Sequence, residues 1–278
     1  MVLIPTKLGA TAALAVLLAG SALATDVTME FDADDFTTPL VIDNPYWPQV
    51  PGAEFLYKAE TPDGCEWSHV RVAPNGPGEF PTKLITIGTD ELTVRTVADF
   101  EYEDEDCGGP VPEELVEKTF DWYGQDDFGN VWYFGEDTQN CDGADDCEPG
   151  GGAWQAGVDG ALPGIIMLGD PDSGERYRQE FAEGVAEDWA KVMNTNNHPV
   201  LRDEDALEPG EWDDCLVTKE WNDLEGGSVE QKTYCPDADG LVLVEEHGGK
   251  LVRFELVDPG AVDASANAFT FRKVPGNR

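Results

Sequence analysis

The chain has 278 residues and a formal charge of −40, from 57 Asp and Glu against 17 Lys and Arg. A surface this acidic repels phosphate groups, so we expect neither nucleic acid nor an anionic membrane surface as a partner. Apolar residues make up 41% of the chain and aromatic residues 10%, which is enough for a folded core and excludes a wholly disordered chain.

The first 24 residues have the pattern of a cleaved signal peptide. Lys7 supplies a positive charge, residues 8–19 are apolar, and residues 22–24 form the Ala-Leu-Ala pattern that signal peptidase prefers. The apolar stretch is shorter than the roughly 20 residues of a membrane-spanning helix, so we expect cleavage after Ala24 rather than an anchor. The mature protein is therefore predicted to be periplasmic or extracellular, with no membrane span.

The rest of the chain is predicted to form one β-rich domain at residues 44–258. An acidic segment at 25–43 precedes it, and a poorly ordered tail at 259–278 follows it. Short alternating segments separated by turn residues fill the domain, with no βαβ rhythm and no Gly-rich phosphate loop. We therefore expect an all-β, mainly antiparallel fold with little helix. A curved sheet, a sandwich or a partial barrel built from consecutive hairpins would each fit.

Turn signals divide this domain into strands. The segment 125–130 is a clear hairpin turn between two aromatic runs, and residues 247–249 form the strongest turn of all. Residues 177–193 are ambiguous, because aromatic and apolar residues recur there every four positions as on a helix, whereas 177–181 alternate like a strand. The predicted strands are 54–60, 83–89, 92–97, 120–123, 131–134, 216–221, 229–234, 241–246 and 250–257.

Six cysteines in a chain bound for an oxidising compartment predict three disulfides. Cys215 and Cys235 flank a turn almost symmetrically, and Cys141 and Cys147 enclose a short acidic loop. By elimination, Cys65 pairs with Cys107. A zinc site is the alternative for these cysteines, but the sequence has no C-x-x-C or H-x-x-x-H spacing.

Several Trp-rich blocks recur along the predicted domain. They are NPYWP at 44–48, PG at 51–52, DWYGQD at 121–126, GNVWYFGED at 129–137, PGIIM at 163–167, YRQE at 177–180, CLVTKEW at 215–221 and GLV at 240–242. Together they resemble a group of uncharacterised exported bacterial proteins. The resemblance implies a secreted, β-rich protein with a strand through the YRQE block. It implies no activity and no catalytic residue.

The sequence offers little support for catalysis. It has no G-x-S-x-G nucleophile elbow, and His69, His198 and His247 are scattered. Paired carboxylates can hydrolyse glycosides, but with 57 acids such pairs arise by chance. A secreted, glycan-acting, carboxylate-dependent hydrolase therefore stands second to a non-catalytic protein. Two facing carboxylates in a cleft would favour the hydrolase, and an aromatic cavity with few buried acids would favour binding.

Two acidic loops are candidate calcium sites, because Ca²⁺ prefers hard oxygen ligands. Neither has the D-x-D-x-D-G spacing of a calcium loop, so a solvated acidic loop is the alternative reading. Calcium is the one candidate cofactor. The candidate ligands are Asp126, Asp127 and Asn130 in one loop, and Asp142, Asp145 and Asp146 in the other.

Aromatic residues give the third signal. Trp132 and Tyr133 on one strand, and Trp122 and Tyr123 on its predicted partner, place large rings on both faces of the sheet. One face serves an ordinary core, and the other must be covered by further structure or line an apolar or sugar-stacking cleft. These four residues are our candidate ligand-binding residues. We expect an exported binding or envelope-associated protein whose ligand is an apolar small molecule, a saccharide or calcium.

The acids are dispersed through nearly every loop, which suits a protein adapted to salt. At molar salt the Debye length falls to ~3 Å, so the repulsion between surface carboxylates is screened. A distributed surface for cations is the alternative explanation of the same excess.

Overall fold

The computed structural model describes residues 25–75, 80–208, 210, 212–224, 226, 229–247 and 251–257. The predicted signal peptide and the predicted tail lie outside the described residues. The strands are β1 (Thr25–Asp26), β2 (Glu54–Thr61), β3 (Gly64–Val72), β4 (Lys83–Ile87), β5 (Asp90–Asp104), β6 (Leu115–Gln125), β7 (Val131–Cys141), β8 (Cys147–Pro149), β9 (Trp154–Gln155), β10 (Gly164–Met167), β11 (Glu175–Arg178), β12 (Asp188–Asn197), β13 (Cys215–Asn222), β14 (Glu230–Cys235), β15 (Gly240–His247) and β16 (Leu251–Leu256).

These strands form one large sheet in the order β1-β11-β12-β13-β14-β15-β16-β2-β3-β5-β6-β7-β10, with β4 beside β5 and with β8 and β9 beside β7. Only β1 and β11 run parallel among the described pairs. The helices of the described residues are three single 3-10 turns, Ala33–Asp35, Pro112–Glu114 and Pro236–Ala238. The all-β, mainly antiparallel prediction is confirmed, and the sheet is open rather than closed into a barrel.

The predicted hairpins form where local turn signals placed them. Ile85 pairs with Leu92, Leu216 with Tyr234 and Val244 with Phe254. Residues 248–250, in the last predicted turn, lie outside the described residues. β3 was not predicted from the sequence; it lies between β2 and β5 and pairs with both along its length.

The ambiguous segment at 177–193 contains two strands, β11 and β12, joined by a tight turn. Within that turn the amide of Ala182 donates to the carbonyl of Ala186 at 2.7 Å. Gly184 has a φ of 72°, in the left-handed region that glycine adopts without strain. A turn residue with this backbone conformation interrupts a helix, so the four-residue spacing of the aromatic residues is not helical.

All three predicted disulfides are present: Cys65–Cys107, Cys141–Cys147 and Cys215–Cys235. The first ties β3 to the loop after β5, and the last joins the start of β13 to the end of β14. No described cysteine is free. A zinc site built from these thiols is therefore ruled out.

The sheet curves so that its two ends approach each other. The amide of Leu162, before β10, donates to the carbonyl of Phe181, after β11, at 2.9 Å. Gly164 allows this approach, because a Cβ at this position would lie 2.1 Å from the carbonyl oxygen of Gln179. One face of the sheet thus encloses an interior space.

The outer face of β6 and β7 is covered by the segment at residues 25–43. Phe31 lies 6.0 Å from Trp132, and Phe36 lies 5.9 Å from Phe134, measured between ring centroids. This acidic segment, expected to precede the domain, contributes Phe36 and Ile42 to the main hydrophobic core. No helix in the described part of the chain is long and apolar enough to cross a membrane.

Candidate functional site

A cavity of about 370 Å³ lies inside the curved sheet. Its walls come from strands at distant places in the chain, including β2, β5, β7 and β15, and from the loop at residues 46–49. Nine acids and one lysine are among the described residues that line it: Asp99, Glu101, Glu117, Asp121, Glu136, Glu180, Glu230, Asp239, Glu246 and Lys232.

The alternation of β5 and β6 directs these acids inward. On β5, Asp99 and Glu101 face the cavity, whereas Phe100 and the buried Tyr102 face the opposite side. On β6, Glu117 and Asp121 face inward, while Phe120 packs outside against Phe80 with ring centroids 5.8 Å apart. The polar face of these strands is therefore the inner face, because aromatic packing occupies the outer one.

Aromatic rings form another part of the wall. Tyr123 and Tyr133 stack with ring centroids 4.8 Å apart and an angle of 21° between their planes. Trp47 lies 5.7 Å from Tyr123 and 5.6 Å from Tyr234. The cavity thus combines flat apolar surfaces with carboxyl groups.

A hydroxyl group joins two of the acids. The Tyr133 hydroxyl lies 2.6 Å from Oδ1 of Asp121 and 2.8 Å from Oε2 of Glu136, and these two acids are cross-strand partners. Burial raises the pKa of Asp121 well above its usual range, and the nearby Glu136 raises it further. Burial also raises the pKa of Glu136, to about 7. A phenol has one hydrogen to donate, so the Tyr133 hydroxyl supplies a hydrogen to only one of these two carboxyl groups.

Glu180 lies on the same side of the cavity. Its Oε2 accepts a hydrogen bond from the indole Nε1 of Trp154 at 2.9 Å. Burial raises the pKa of Glu180 well above its usual range, with further contributions from Glu136 and other acids nearby. This carboxyl group thus lies near other acids, with the Trp154 indole as its hydrogen-bond donor.

A second group of acids lies further along the same strands. Glu101 pairs directly across the sheet with Glu117, and the Ser68 hydroxyl donates to Asp99 at 2.8 Å. Burial and the neighbouring carboxylates, Asp99 first, raise the pKa of Glu101 to about 8. The Glu101 side chain is open to the cavity space, so water entering the cavity screens part of this repulsion.

Lys232 is already neutralised by its own partners. Its Nζ lies 2.9 Å from Glu220 and 3.1 Å from Glu230. Burial by itself would lower the pKa of Lys232, but these two carboxylates outweigh burial and raise it well above its usual range. The same lysine lowers the pKa of Glu230. The remaining acids of the cavity therefore lack a compensating base among the described lining residues.

Two of the four predicted ligand-binding residues, Tyr123 and Tyr133, line the cavity. The other two do not. Trp122 faces the other side, with Nζ of Lys83 lying 4.1 Å from its ring centroid. Trp132 is buried against Phe31 and donates from Nε1 to Asp126 at 2.9 Å.

The first predicted calcium loop is held together by hydrogen bonds within the protein. Oδ1 of Asp126 accepts from the amide of Asn130 at 2.8 Å, and Oδ2 of Asp126 accepts from Nδ2 of Asn130 at 2.8 Å. Asp127 accepts from both the amide and the hydroxyl of Thr37. These oxygens stabilise the turn and the covering segment.

The second predicted calcium loop, with Asp142, Asp145 and Asp146, is exposed and is closed by the Cys141–Cys147 disulfide. Among the residues that the structure describes, no three or more His, Cys, Asp or Glu side chains are grouped to hold a metal ion. Calcium binding in either loop stays a prediction without a coordinating arrangement to support it.

Sequence reasoning missed the inward-facing acids as site residues. Their signal was present in VADFEYED at 97–104 and EKTFDWY at 117–123, where acids and aromatic residues alternate. Alternation alone does not say which face meets solvent, and an acidic face is ordinarily taken to be the outer one. With 57 acids in the chain, these did not stand out from the rest.

Three comparisons were made with known proteins. No family model, no curated protein and no solved structure matches the chain. The resemblance to exported bacterial proteins therefore stays a prediction, and the geometry of the cavity is what bears on function.

Proposed function

We propose that this is an exported, non-catalytic binding protein that holds a small molecule in the cavity of the curved sheet. The observation that carries the proposal is the cavity itself, with a volume of about 370 Å³. Small-molecule sites have volumes of about 300–1,000 Å³ and combine aromatic walls with a few polar groups that orient the ligand. The stacked Tyr123 and Tyr133 and the acids beside them supply both features.

Export is supported by the three disulfides. Disulfides form and persist in oxidising compartments such as the periplasm and the extracellular space. The signal-peptide pattern at residues 1–24 also supports export.

The salt-adaptation hypothesis has its own test. A rise of many degrees in melting temperature between dilute buffer and ~2 M NaCl would support it, and an unchanged melting temperature would count against it.

Native mass spectrometry of the purified mature protein tests the binding function. Val244 lines the cavity and Val200 is 69% exposed on the surface, so Val244→Trp fills the site and Val200→Trp is the matched control. We expect a retained small molecule in the wild type and in Val200→Trp, and its loss in Val244→Trp. Retention of that molecule by folded Val244→Trp would place it outside the cavity.

The second candidate function is a secreted, glycan-acting, carboxylate-dependent hydrolase, and the pair of facing carboxylates expected of such an enzyme favours it. Asp121 and Glu136 face each other across the Tyr133 hydroxyl, and the pKa of Glu136 is raised to about 7, as a general acid requires. Glycan hydrolysis that is lost in Asp121→Asn and Glu136→Gln would support it. An inactive wild type against a broad panel of glycans would leave binding as the function.

A further inference from the structure

We propose that the cavity takes a linear aliphatic diamine or polyamine, whose ammonium groups bind among the inward-facing acids. This inference rests on the proposed binding function and names its ligand class. Three features of the cavity support this ligand class: its charge balance, its surplus of hydrogen-bond acceptors and the spacing of its acids.

The charge balance calls for a cation. Nine acids and one lysine are among the described lining residues, and that lysine already lies within 3.1 Å of Glu220 and Glu230. Like charges directly opposite on paired strands destabilise a sheet, and Glu101 and Glu117 are such a pair. A ligand with two or more positive charges would relieve this repulsion, whereas a neutral ligand would not.

The acceptors call for a ligand with N–H groups. Gln49 lines the cavity and is only 8% exposed, and its Oε1 has no hydrogen-bond partner among the described residues. A buried acceptor without a donor is costly, so this oxygen points to a donor that the protein does not supply. Asp121 and Glu136 share one phenol hydrogen between them. A primary or secondary ammonium group supplies several donors, and a quaternary ammonium group supplies none.

The spacing of the acids calls for a linear chain. Asp121, Thr119 and Glu117 follow one another on the inner face of β6, and Thr119 lies opposite Asp99. Asp99 is therefore the diagonal cross-strand neighbour of Asp121, and such neighbours are about 7–8 Å apart. Four or five methylene groups between two nitrogens cover a comparable length, and the stacked rings of Tyr123 and Tyr133 offer an apolar surface for those methylenes.

A metal ion fits the same space less well. Divalent cations require several oxygen ligands converging on one point. The acids of the cavity are instead distributed over five strands and two loops, and no group of three or more His, Cys, Asp or Glu among the described residues is arranged to hold a metal. This arrangement of acids suits a ligand with separate positive charges along its length better than it suits a single ion.

Isothermal titration calorimetry of the full mature protein in ~0.15 M NaCl tests the inference. The probes are spermidine and 1,4-diaminobutane, with 1,4-butanediol as the neutral analogue and CaCl₂ as the metal. We expect saturable binding of the amines at one molecule per chain, and no binding of the diol. If the diol binds as tightly as the diamine, the cavity binds ligands but the inference about charge is wrong. If neither amine binds, the inference is also overturned.

Variants separate the cavity from the acidic surface, which attracts any polycation. Asp121→Asn and Glu101→Gln should each weaken spermidine binding by at least about tenfold, because each removes a carboxyl group that can ionise and pair with an ammonium group. The exposed Glu91 lies on the same strand as Glu101, so Glu91→Gln is the matched control and should bind as the wild type does.

The melting temperatures of the variants and spermidine binding by Val244→Trp test the inference further. The two cavity variants should melt no lower than the wild type, since each removes a carboxyl group whose ionisation is disfavoured by burial and by neighbouring acids. Val244→Trp should abolish spermidine binding. If Val244→Trp binds spermidine as tightly as the wild type, or if Glu91→Gln loses as much affinity as the cavity variants, the binding is on the outer surface and the inference is overturned.

Discussion

Both faces of strands β6 and β7 carry aromatic residues, but one face is a packed core and the other is a cavity wall. On the outer face, Trp132 and Phe134 are buried against Phe31 and Phe36. On the inner face, Tyr133 stacks on Tyr123 and contacts Asp121 and Glu136. The outer face is a close-packed core, and the inner face is a polar wall around unfilled space.

This difference separates stability from function within a single pair of strands. Removing outer-face atoms creates a void in a packed region and should cost stability. Changing inner-face acids relieves repulsion at a surface that already borders open space. We therefore expect outer-face substitutions to unfold the protein and inner-face substitutions to alter binding while preserving or raising stability.

Phe134→Ala should have the largest effect on stability. Phe134 is fully buried, and truncation of a buried Phe costs about 3–5 kcal/mol. Phe128 is 72% exposed at the hairpin tip, so Phe128→Ala is the matched control and should change the free energy of unfolding by less than about 0.5 kcal/mol. Urea denaturation gives both values. Similar losses for the two variants would contradict the contrast between packed and exposed positions.

Two disulfides, which pack beside the buried Trp67, Tyr102 and Leu115, come next. Cys65 and Cys107 are 42 residues apart in sequence, and Cys141 and Cys147 are 6 apart. Loop-closure entropy assigns about 4 kcal/mol to the longer loop and about 2 kcal/mol to the shorter one. Replacing both cysteines of each pair by Ser, followed by thermal unfolding, should therefore lower the melting temperature more for the first pair. The reverse order would show that chain entropy does not govern these links.

Glu101→Gln should have a smaller effect of opposite sign. The folded-state pKa of Glu101 is about 8, against an ordinary value of 4.5. Its contribution to stability is therefore fully present below about pH 4.5 and is lost as the pH rises to about 8. At pH 8 the substitution removes one of two like charges directly opposite, and should stabilise the protein by roughly 0.2–1 kcal/mol.

The matched control for this substitution is Glu91→Gln, at an exposed position of the same strand. The melting temperature should fall more steeply between pH 4.5 and pH 8 for the wild type and for Glu91→Gln than for Glu101→Gln. The same dependence on pH in all three proteins would mean that Glu101 ionises as an ordinary surface acid does.

Local signals in the sequence predicted much of this fold. Turn residues located the hairpins of β6–β7 and β15–β16, and the position of cysteines around turns predicted two disulfides, which left the third by elimination. Pairings between strands that are distant in sequence could not be predicted from local patterns. For example, Glu255 on β16 pairs with Lys58 on β2, almost the whole domain away in sequence, and no local pattern encodes that contact. Yet this pairing brings the two halves of the sheet together around the cavity.

The candidate site was predicted only in part, for a related reason. Large rings on both faces of β6 and β7 indicated either a covered face or a cleft, and the structure has both, with Tyr123 and Tyr133 inside and Trp122 and Trp132 outside. The acids of the cavity could not be singled out in the sequence, because the chain has 57 acids. Alternation is the same whether the polar face points outward or inward, so the sense of curvature had to come from the structure.

The most direct measurement is a carboxyl carbon NMR titration of Glu101 and Glu136, assigned with the Glu101→Gln and Glu136→Gln variants. If the inner face holds crowded acids, Glu136 should titrate near pH 7 and Glu101 near pH 8. Midpoints close to the ordinary value of 4.5 for both residues would contradict an acid-lined interior and the ligand class inferred from it.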